Sequence, residues 1–342
     1  MTNKDTPHVD AYAAREARAL LAPFSYEPAS LGPHDVEIEI SHCGICHSDL
    51  HLIDNDWETS EYPLVPGHEI VGTVAQKGAL VTHLDLGARV GVGWQCGSCL
   101  QCEWCERGDE NLCSSIVETC VGRQRYGGFA ERVRVDGRFA FSIPDGLSSE
   151  VAAPLLCGGI TVYSPLRRYA RPQSRVGVIG IGGLGHMAIR FARAFGCEVT
   201  AFSSTAAKEE EARAHGAHRF VSSIDDAALK AQRESLDLII STVNTSLNWK
   251  RYVTALRPNG VLSFVGVVAE PVSIQTGLLL ARSRSVTASP IGGRFAMREM
   301  LEFAGRHGVG AQVETLPMSE VNTALDRLRR NDVRYRFVLS RD

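Results

Sequence analysis

The chain has 342 residues, a formal net charge of -3 and ten cysteines. That length exceeds what one ordinary core fills and predicts two domains, while acids and bases interspersed without a basic block argue against nucleic acid as the main partner. No run of about eighteen apolar residues is present to span a membrane, and the start "MTNKDTPHVDAYAAREARAL" has no basic flank followed by an apolar stretch, so the expected setting is the cytoplasm. In that reducing compartment ten cysteines point to metal or catalysis rather than to disulfides.

From about Pro28 to Phe141 short strand-like runs, "HDVEIEIS", "EIVGTVAQKG", "ARVGVGW" and "FAERVRV", alternate with turn residues and predict a β-rich domain over residues 1–150. Within it, "SHCGICHSDLH" from Ser41 to His51 and "PGHEIVG" from Pro66 supply Cys46, His68 and the adjacent Glu69. The polar stretch from Cys96 to Cys113 then gathers five cysteines, one more than a tetrahedral site takes. An iron-sulfur reading of it is poor. Cys105 follows Cys102 after two residues and is trailed by Glu106, where the ferredoxin pattern has three residues and a proline.

Near Ser148 the pattern changes. "SSEVAAPLLCGGITVYSPL" is helix-like and carries Cys157, and after it strands and helices alternate through "RVGVIG", "HMAIRFARAFG", "CEVTAF", "LDLIISTV" and "VLSFVGVV". Such alternation predicts an α/β region over 151–288, a doubly wound parallel sheet of Rossmann type. Past Ser289 a helical stretch, "FAMREMLEFAGRHG", and two strands, "AQVETLPM" and "VRYRFVLS", are expected to return to the first domain over 289–342.

"VGVIGIGGLGHMAIRFA" sets Gly180, Gly182 and Gly185, with Gly183 and Leu184 between them, directly after an apolar strand and before a helix. In that context glycine serves the tight turn, the approach of a pyrophosphate and close helix packing, and the helix N-terminus favours the anion. The tip of the following strand, "VTAFSSTAAKEEEA", lacks the acid that binds a ribose 2'-hydroxyl in NAD sites. Ser203, Ser204, Thr205 and Lys208 offer hydroxyls and an ammonium suited to the 2'-phosphate of NADP; a helix N-cap at Ser204 or Thr205 is the plainer reading and is compatible with it. Cys46, His68 and Cys157, two thiolates and an imidazole, suit a zinc with a fourth position open. Taken singly, Cys157 reads as a small buried apolar group and His68 as a turn residue, but their company beside a dinucleotide loop favours metal.

The motifs "GICHSDLH", "PGHEIVG", the cysteine lobe over about 94–115, "PLLCGGITVYSPL", "GIGGLGHMAI" and "DVRYRFV" resemble, in order and over nearly the whole chain, the zinc-dependent medium-chain alcohol dehydrogenases, in the cinnamyl alcohol dehydrogenase-like branch of NADP-dependent aldehyde reductases. The resemblance implies a GroES-like catalytic domain interrupted by the Rossmann domain, with the active site in the cleft between them, two zincs per chain, NADP and a homodimer or higher homo-oligomer. It makes Ser48 the acceptor of the alcohol proton and His51 its exit to solvent, pairs Asp49 with the second nitrogen of His68, and makes Glu69 an occasional fourth ligand and His47 a cofactor phosphate contact. Cys99, Cys102, Cys105 and Cys113 match the family's structural zinc lobe and leave Cys96 outside, although registers that use Cys96 stay open.

Further cofactor contacts expected on the same grounds are Thr161, Val243, Val267 and Ile291, with Arg336 reaching the pyrophosphate; for the valines, core packing is the competing interpretation. Trp57 and Trp94, with Leu52 nearby, are candidates for an aromatic wall that suits aromatic or medium aliphatic aldehydes, and they compete with an ordinary core role. Two other classes compete as well. One is a zinc-free quinone or enoyl reductase on this scaffold, which the presence of Cys46, His68 and Cys157 disfavours. The other is a non-catalytic NADPH-binding redox sensor using thiols such as Cys43, Cys120 and Cys197.

Overall fold

A computed structural model describes residues 8–341 and divides the chain into two compact units, Met1–Cys157 with Gly293–Asp342, and Gly158–Gly292. The crossings fall a few residues beyond the expected seams at 150/151 and 288/289. The turns Ser149–Ala152 and Ala153–Leu156, helical as read, pack against the strands Asp35–Ile45 and Glu69–Lys77 and therefore belong to the first unit.

In that first unit the alternation of "DVEIEI" puts Val36, Ile38 and Ile40 in the core at no more than 2% exposure. Glu37 between them is 1% exposed and is satisfied by Arg134 Nε, which donates to it over 2.6 Å. Asp35–Ile45 is the axis of a seven-stranded sheet: it pairs antiparallel with Glu69–Lys77, Arg132–Asp136 and Arg336–Ser340. Val313–Pro317 lies parallel to Arg336–Ser340, and Arg89–Val92 continues the other side. The register sets Gly44 opposite Glu69 and Ile45 opposite Phe337. The adjoining ends of three inner strands thus gather the residues around Cys46, Glu69 and Arg336.

The cysteine lobe leaves this unit as an excursion from a short ladder, Gln95–Gly97 against Val117–Glu118. Glu110, 2% exposed, ties it down: its carboxylate accepts from Arg294 N at 2.9 Å and Arg294 Nε at 2.6 Å, at the start of the helix Arg294–His307. A further helix, Val321–Arg329, precedes the last strand and was not among the expected elements.

The second unit is a six-stranded, wholly parallel sheet. Its strands, Arg175–Ile179, Glu198–Ser203, Arg219–Ser222, Leu236–Ser241, Leu256–Phe264 and Ser285–Ala288, stand in the spatial order third, second, first, fourth, fifth, sixth. Consecutive residues such as Leu238, Ile239 and Ile240 are all fully buried, as a sheet covered on both faces requires. This order reverses between Arg175–Ile179 and Leu236–Ser241, and a doubly wound sheet binds its ligand beyond the carboxyl ends of the strands at that switch. No helix among the described residues is long and apolar enough to cross a membrane.

Candidate active site

Cys46 sits at the end of Asp35–Ile45 and at the N-cap of the helix His47–Asp54. Asp49, three residues on and fully buried, accepts from Cys46 N at 2.8 Å and Gly67 N at 3.0 Å, and its Oδ1 meets His68 Nδ1 at 3.0 Å. Cys157 ends the turn Ala153–Leu156. The donor atoms of Cys46, His68, Glu69 and Cys157 all lie within 4.8 Å of one another. His68 Nε2 and Glu69 Oε2 are buried there without a hydrogen-bond partner. A buried polar group left unmade costs about 1–3 kcal/mol, so two orphans converging with two sulfurs fit a bound cation, and the soft donor set fits zinc.

The protonation of these groups follows from their contacts. The hydrogen bond with Cys157 pulls the Cys46 thiol well below the usual thiol range, and the same bond together with burial pushes Cys157 well above it. Burial pushes the Glu69 carboxyl up to about 7 against the pull of Arg336. Arg336, expected at a cofactor pyrophosphate, is instead 5% exposed, with Nη2 donating to Glu69 Oε1 at 2.5 Å and to Ile45 O at 3.0 Å. The strand pairing that sets Phe337 opposite Ile45 directs it inward. Gly44 is required here: a Cβ on it would lie 2.0 Å from Glu69 Oε2.

Around the metal donors, Ser48 Oγ is 3.7 Å from Cys46 Sγ. His51, one turn on, has a side chain 38% exposed and its Nδ1 2.8 Å from Asp56 Oδ2. The rings run in series, His68 to Trp94 with centroids 4.8 Å apart, Trp94 to Trp57 at 6.0 Å and Trp57 to His51 at 5.1 Å. Leu52 is not part of this wall. It is fully buried in the unit's core, because the helix phase places it with Asp49 and Ile53 on the inward face. His47 is exposed, and the buried thiol of Cys120 lies against the His68 ring beside Asp49, a neighbour that sequence spacing did not point to.

In the lobe, sulfur separations are 3.5 Å for Cys99–Cys113, 3.6 Å for Cys102–Cys105, 3.8 Å for Cys102–Cys113 and 3.9 Å for Cys99–Cys105. Four thiolates about 2.3 Å from one zinc lie about 3.8 Å apart at tetrahedral angles, so the spacing is that of a filled tetrahedron. Cys96 stands outside the group, packed against the core of the first unit, where burial pushes its thiol up to about 12.

The second unit holds the glycine loop. A Cβ on Gly185 would lie 1.9 Å from Gly180 O, and one on Gly180 would lie 2.8 Å from Val243, which places Val243 at the switch point. A Cβ on Gly182 would meet nothing within 4 Å. The protein itself therefore has no need of glycine at 182, and the space suits an approaching phosphate. Gly183 and Leu184 are half-buried in the same loop. Lys208 Nζ donates to Ile181 O at 2.7 Å, joining the tip of the next strand to this loop. Ser203 is buried with its Oγ accepting from Thr205 N at 3.1 Å, whereas Ser204 and Thr205 are exposed. Thr161 is buried on the helix Gly158–Tyr169, Ile291 is half-buried and Val267 is 76% exposed.

A model of the alcohol dehydrogenase GroES-like domain matches residues 32–145, and one of the zinc-binding dehydrogenases matches residues 183–306. Aldehyde reductase AdhA of Synechocystis sp. is 47% identical over 333 residues, covering 97% of this chain and 98% of that protein. Among solved structures, a cinnamyl alcohol dehydrogenase from Sorghum bicolor superposes with a TM-score of 0.93 at 41% identity, covering 98% of each chain. A cinnamyl alcohol dehydrogenase from Helicobacter pylori complexed with NADP(H) gives 0.89 at 33% identity, covering 97% of this chain and 98% of that one.

The two glycines separate folding from binding. G185A is expected to lower the melting temperature by several degrees, a loss of about 2 kcal/mol or more, because a backbone oxygen must move. G182A should melt like the wild type yet weaken dinucleotide binding by about tenfold, measured by titration of the nicotinamide cofactor; equal effects of both on melting would contradict this division.

Proposed function

The chain belongs to the zinc-binding medium-chain alcohol dehydrogenases, in their cinnamyl alcohol dehydrogenase-like branch, and on that premise we propose that it interconverts primary alcohols and aldehydes with NADP(H), acting as an aldehyde reductase. The observation that carries this reading is the convergence of Cys46, His68 and Cys157 with the partnerless His68 Nε2 and Glu69 Oε2. Zinc held there supplies Lewis acidity at the substrate oxygen, and the bound nicotinamide supplies or accepts the hydride. A zinc-free reductase would leave those buried donors without a purpose.

The chain's own residues do the rest. Ser48, beside Cys46, holds the proton exchanged with the substrate oxygen, and His51, open to solvent and oriented by Asp56, passes it to and from water. Asp49 fixes the His68 tautomer by meeting Nδ1, which leaves Nε2 for metal. Arg336 balances the Glu69 carboxylate and keeps it beside the thiolates. Trp94 and Trp57 supply an apolar wall suited to aromatic or medium aliphatic aldehydes. Ser204, Thr205 and Lys208, with no acid among them, favour the 2'-phosphate of NADP over NAD.

A second zinc in the Cys99, Cys102, Cys105 and Cys113 tetrahedron braces the lobe without touching substrate, since four thiolates leave no position open. The parallel sheet of the second unit ends in an exposed edge strand, Ser285–Ala288, which carries the exposed Val286 and follows the exposed Leu280, and this edge supports a homodimer. The ten unpaired cysteines suit the reducing cytoplasm.

Loss of NADPH absorbance on adding aldehyde, abolished by a strong chelator, tests the reaction; persistence under chelation with zinc shown to be absent would refute it. In the same assay K208A should raise the NADPH KM by about tenfold while leaving the NADH KM nearly unchanged. S48A should lower kcat by about a hundredfold or more with zinc retained, and near-normal turnover would remove Ser48 from the proton path. Metal analysis is expected to find two zincs per chain in the wild type and in C96S, and one in C105S; two in C105S would exclude the assigned tetrahedron.

A further inference from the structure

Trp94 follows the strand Arg89–Val92, with its ring edge to face with the metal-ligand candidate His68 and with Trp57. An indole has one N-H donor and no acceptor, and when half-buried its orientation depends on where that donor is satisfied. Here Nε1 donates to Glu118 Oε1 at 2.8 Å. Glu118 makes no salt bridge among the described residues, and the indole is the hydrogen-bond partner of its side chain there. The bond is charge-assisted and correspondingly strong.

The backbone agrees with the side chain. Glu118 is the ladder partner of Gln95, next to Trp94. Thr119, just past the strand, binds the main chain at the same tryptophan: its N donates to Trp94 O at 2.9 Å, and its Oγ1 lies 2.5 Å from Gly93 O and 3.1 Å from Trp94 O. Cys120, in the turn that follows the strand, lies against His68. The short run "VETC" from Val117 to Cys120 therefore grips Trp94 by ring and backbone and abuts the histidine behind it.

We propose that Glu118 is a specificity-determining positioning residue: by holding the Trp94 indole it fixes the wall beside the substrate and so the size of aldehyde that the site accepts. This rests on the reading of the protein as an aldehyde reductase with Trp94 at its substrate wall. Releasing the ring lets it swing away, which costs small aldehydes their contact surface and admits bulkier ones.

The test compares acetaldehyde with benzaldehyde in wild type, E118A, E118Q, W94F and the W94F/E118A double variant. E118A is expected to shift the ratio of their kcat/KM values toward benzaldehyde by about tenfold, mainly through KM, with zinc content unchanged. E118Q keeps an oxygen acceptor and should stay within about twofold of wild type. Phe has no N-H, so E118A should add nothing in the W94F background. The near-ultraviolet circular dichroism band of Trp94, isolated by difference from W94F, should change in E118A and return in E118Q. An unchanged ratio and band in E118A, or an additive double variant, overturns the proposal. If no aldehyde supports NADPH oxidation by the wild type, the functional reading fails, and the Trp94 band still decides whether Glu118 positions the ring.

Discussion

The carboxylate of Asp49 accepts from Cys46 N and Gly67 N and pairs with His68 Nδ1 in full burial, and the placement of two metal donors from different elements depends on it. A helix N-cap orients Cys46, and a loop before a strand orients His68; one side chain joins the two. The same bond that fixes the His68 ring leaves its other nitrogen without a partner, an arrangement a core would not retain at a cost of about 1–3 kcal/mol unless something else occupied it. Arg336 and Glu69 complete the balance. Two sulfurs, an imidazole and a carboxylate converge in one buried space, and a dication there would hold both thiols as thiolates against the burial that pushes Cys157 up.

Much of this was legible in the sequence because it is local. The glycine spacing, the cysteine spacing in the lobe and the Cys46 to Asp49 interval each define a turn or a helix end whose geometry follows from the chain alone. What was not legible depends on pairing between distant segments. Arg336 reads as a phosphate contact because "VRYRF" contains no sign that its strand lies against Asp35–Ile45 and directs the guanidinium to Glu69. Leu52 was placed near the substrate by proximity in sequence, whereas the helix phase groups it with Asp49 and Ile53 in the core. The helix Val321–Arg329 does carry a signal, an apolar stripe of Val321, Ala324, Leu325 and Leu328 at the spacing of one helical face, but the many charges between them mask it. Glu118 left no signal, since a carboxylate at the end of a short strand reads as a solvated surface group.

The two cysteine-bearing clusters differ in how they relate to folding. In the lobe all four donors come from fifteen residues that otherwise contain only the short helix Glu103–Glu106 and the turn Glu110–Leu112, too little to order themselves. The Glu110–Arg294 bonds supply part of what the segment lacks, and a zinc closing the four thiolates would supply the rest. The other cluster draws on strand ends and a helical turn already fixed by a seven-stranded sheet. Its geometry is set by the protein, so a position can remain open for chemistry.

At the strand tip in the second unit, placement counts as well as composition. Of the hydroxyls there, Ser203 Oγ is taken up by Thr205 N and serves the turn. The phosphate reading therefore rests on the exposed Ser204 and Thr205 and on Lys208, whose ammonium already reaches the glycine loop at Ile181 O. That link matters more than the count of hydroxyls. The loop approaches the pyrophosphate while the strand tip approaches the ribose, so a cation bridging them lowers the repulsion that a third phosphate adds. An acid at the same place would hold a 2'-hydroxyl and repel a 2'-phosphate. With a lysine joining tip to loop, the electrostatic preference runs the other way.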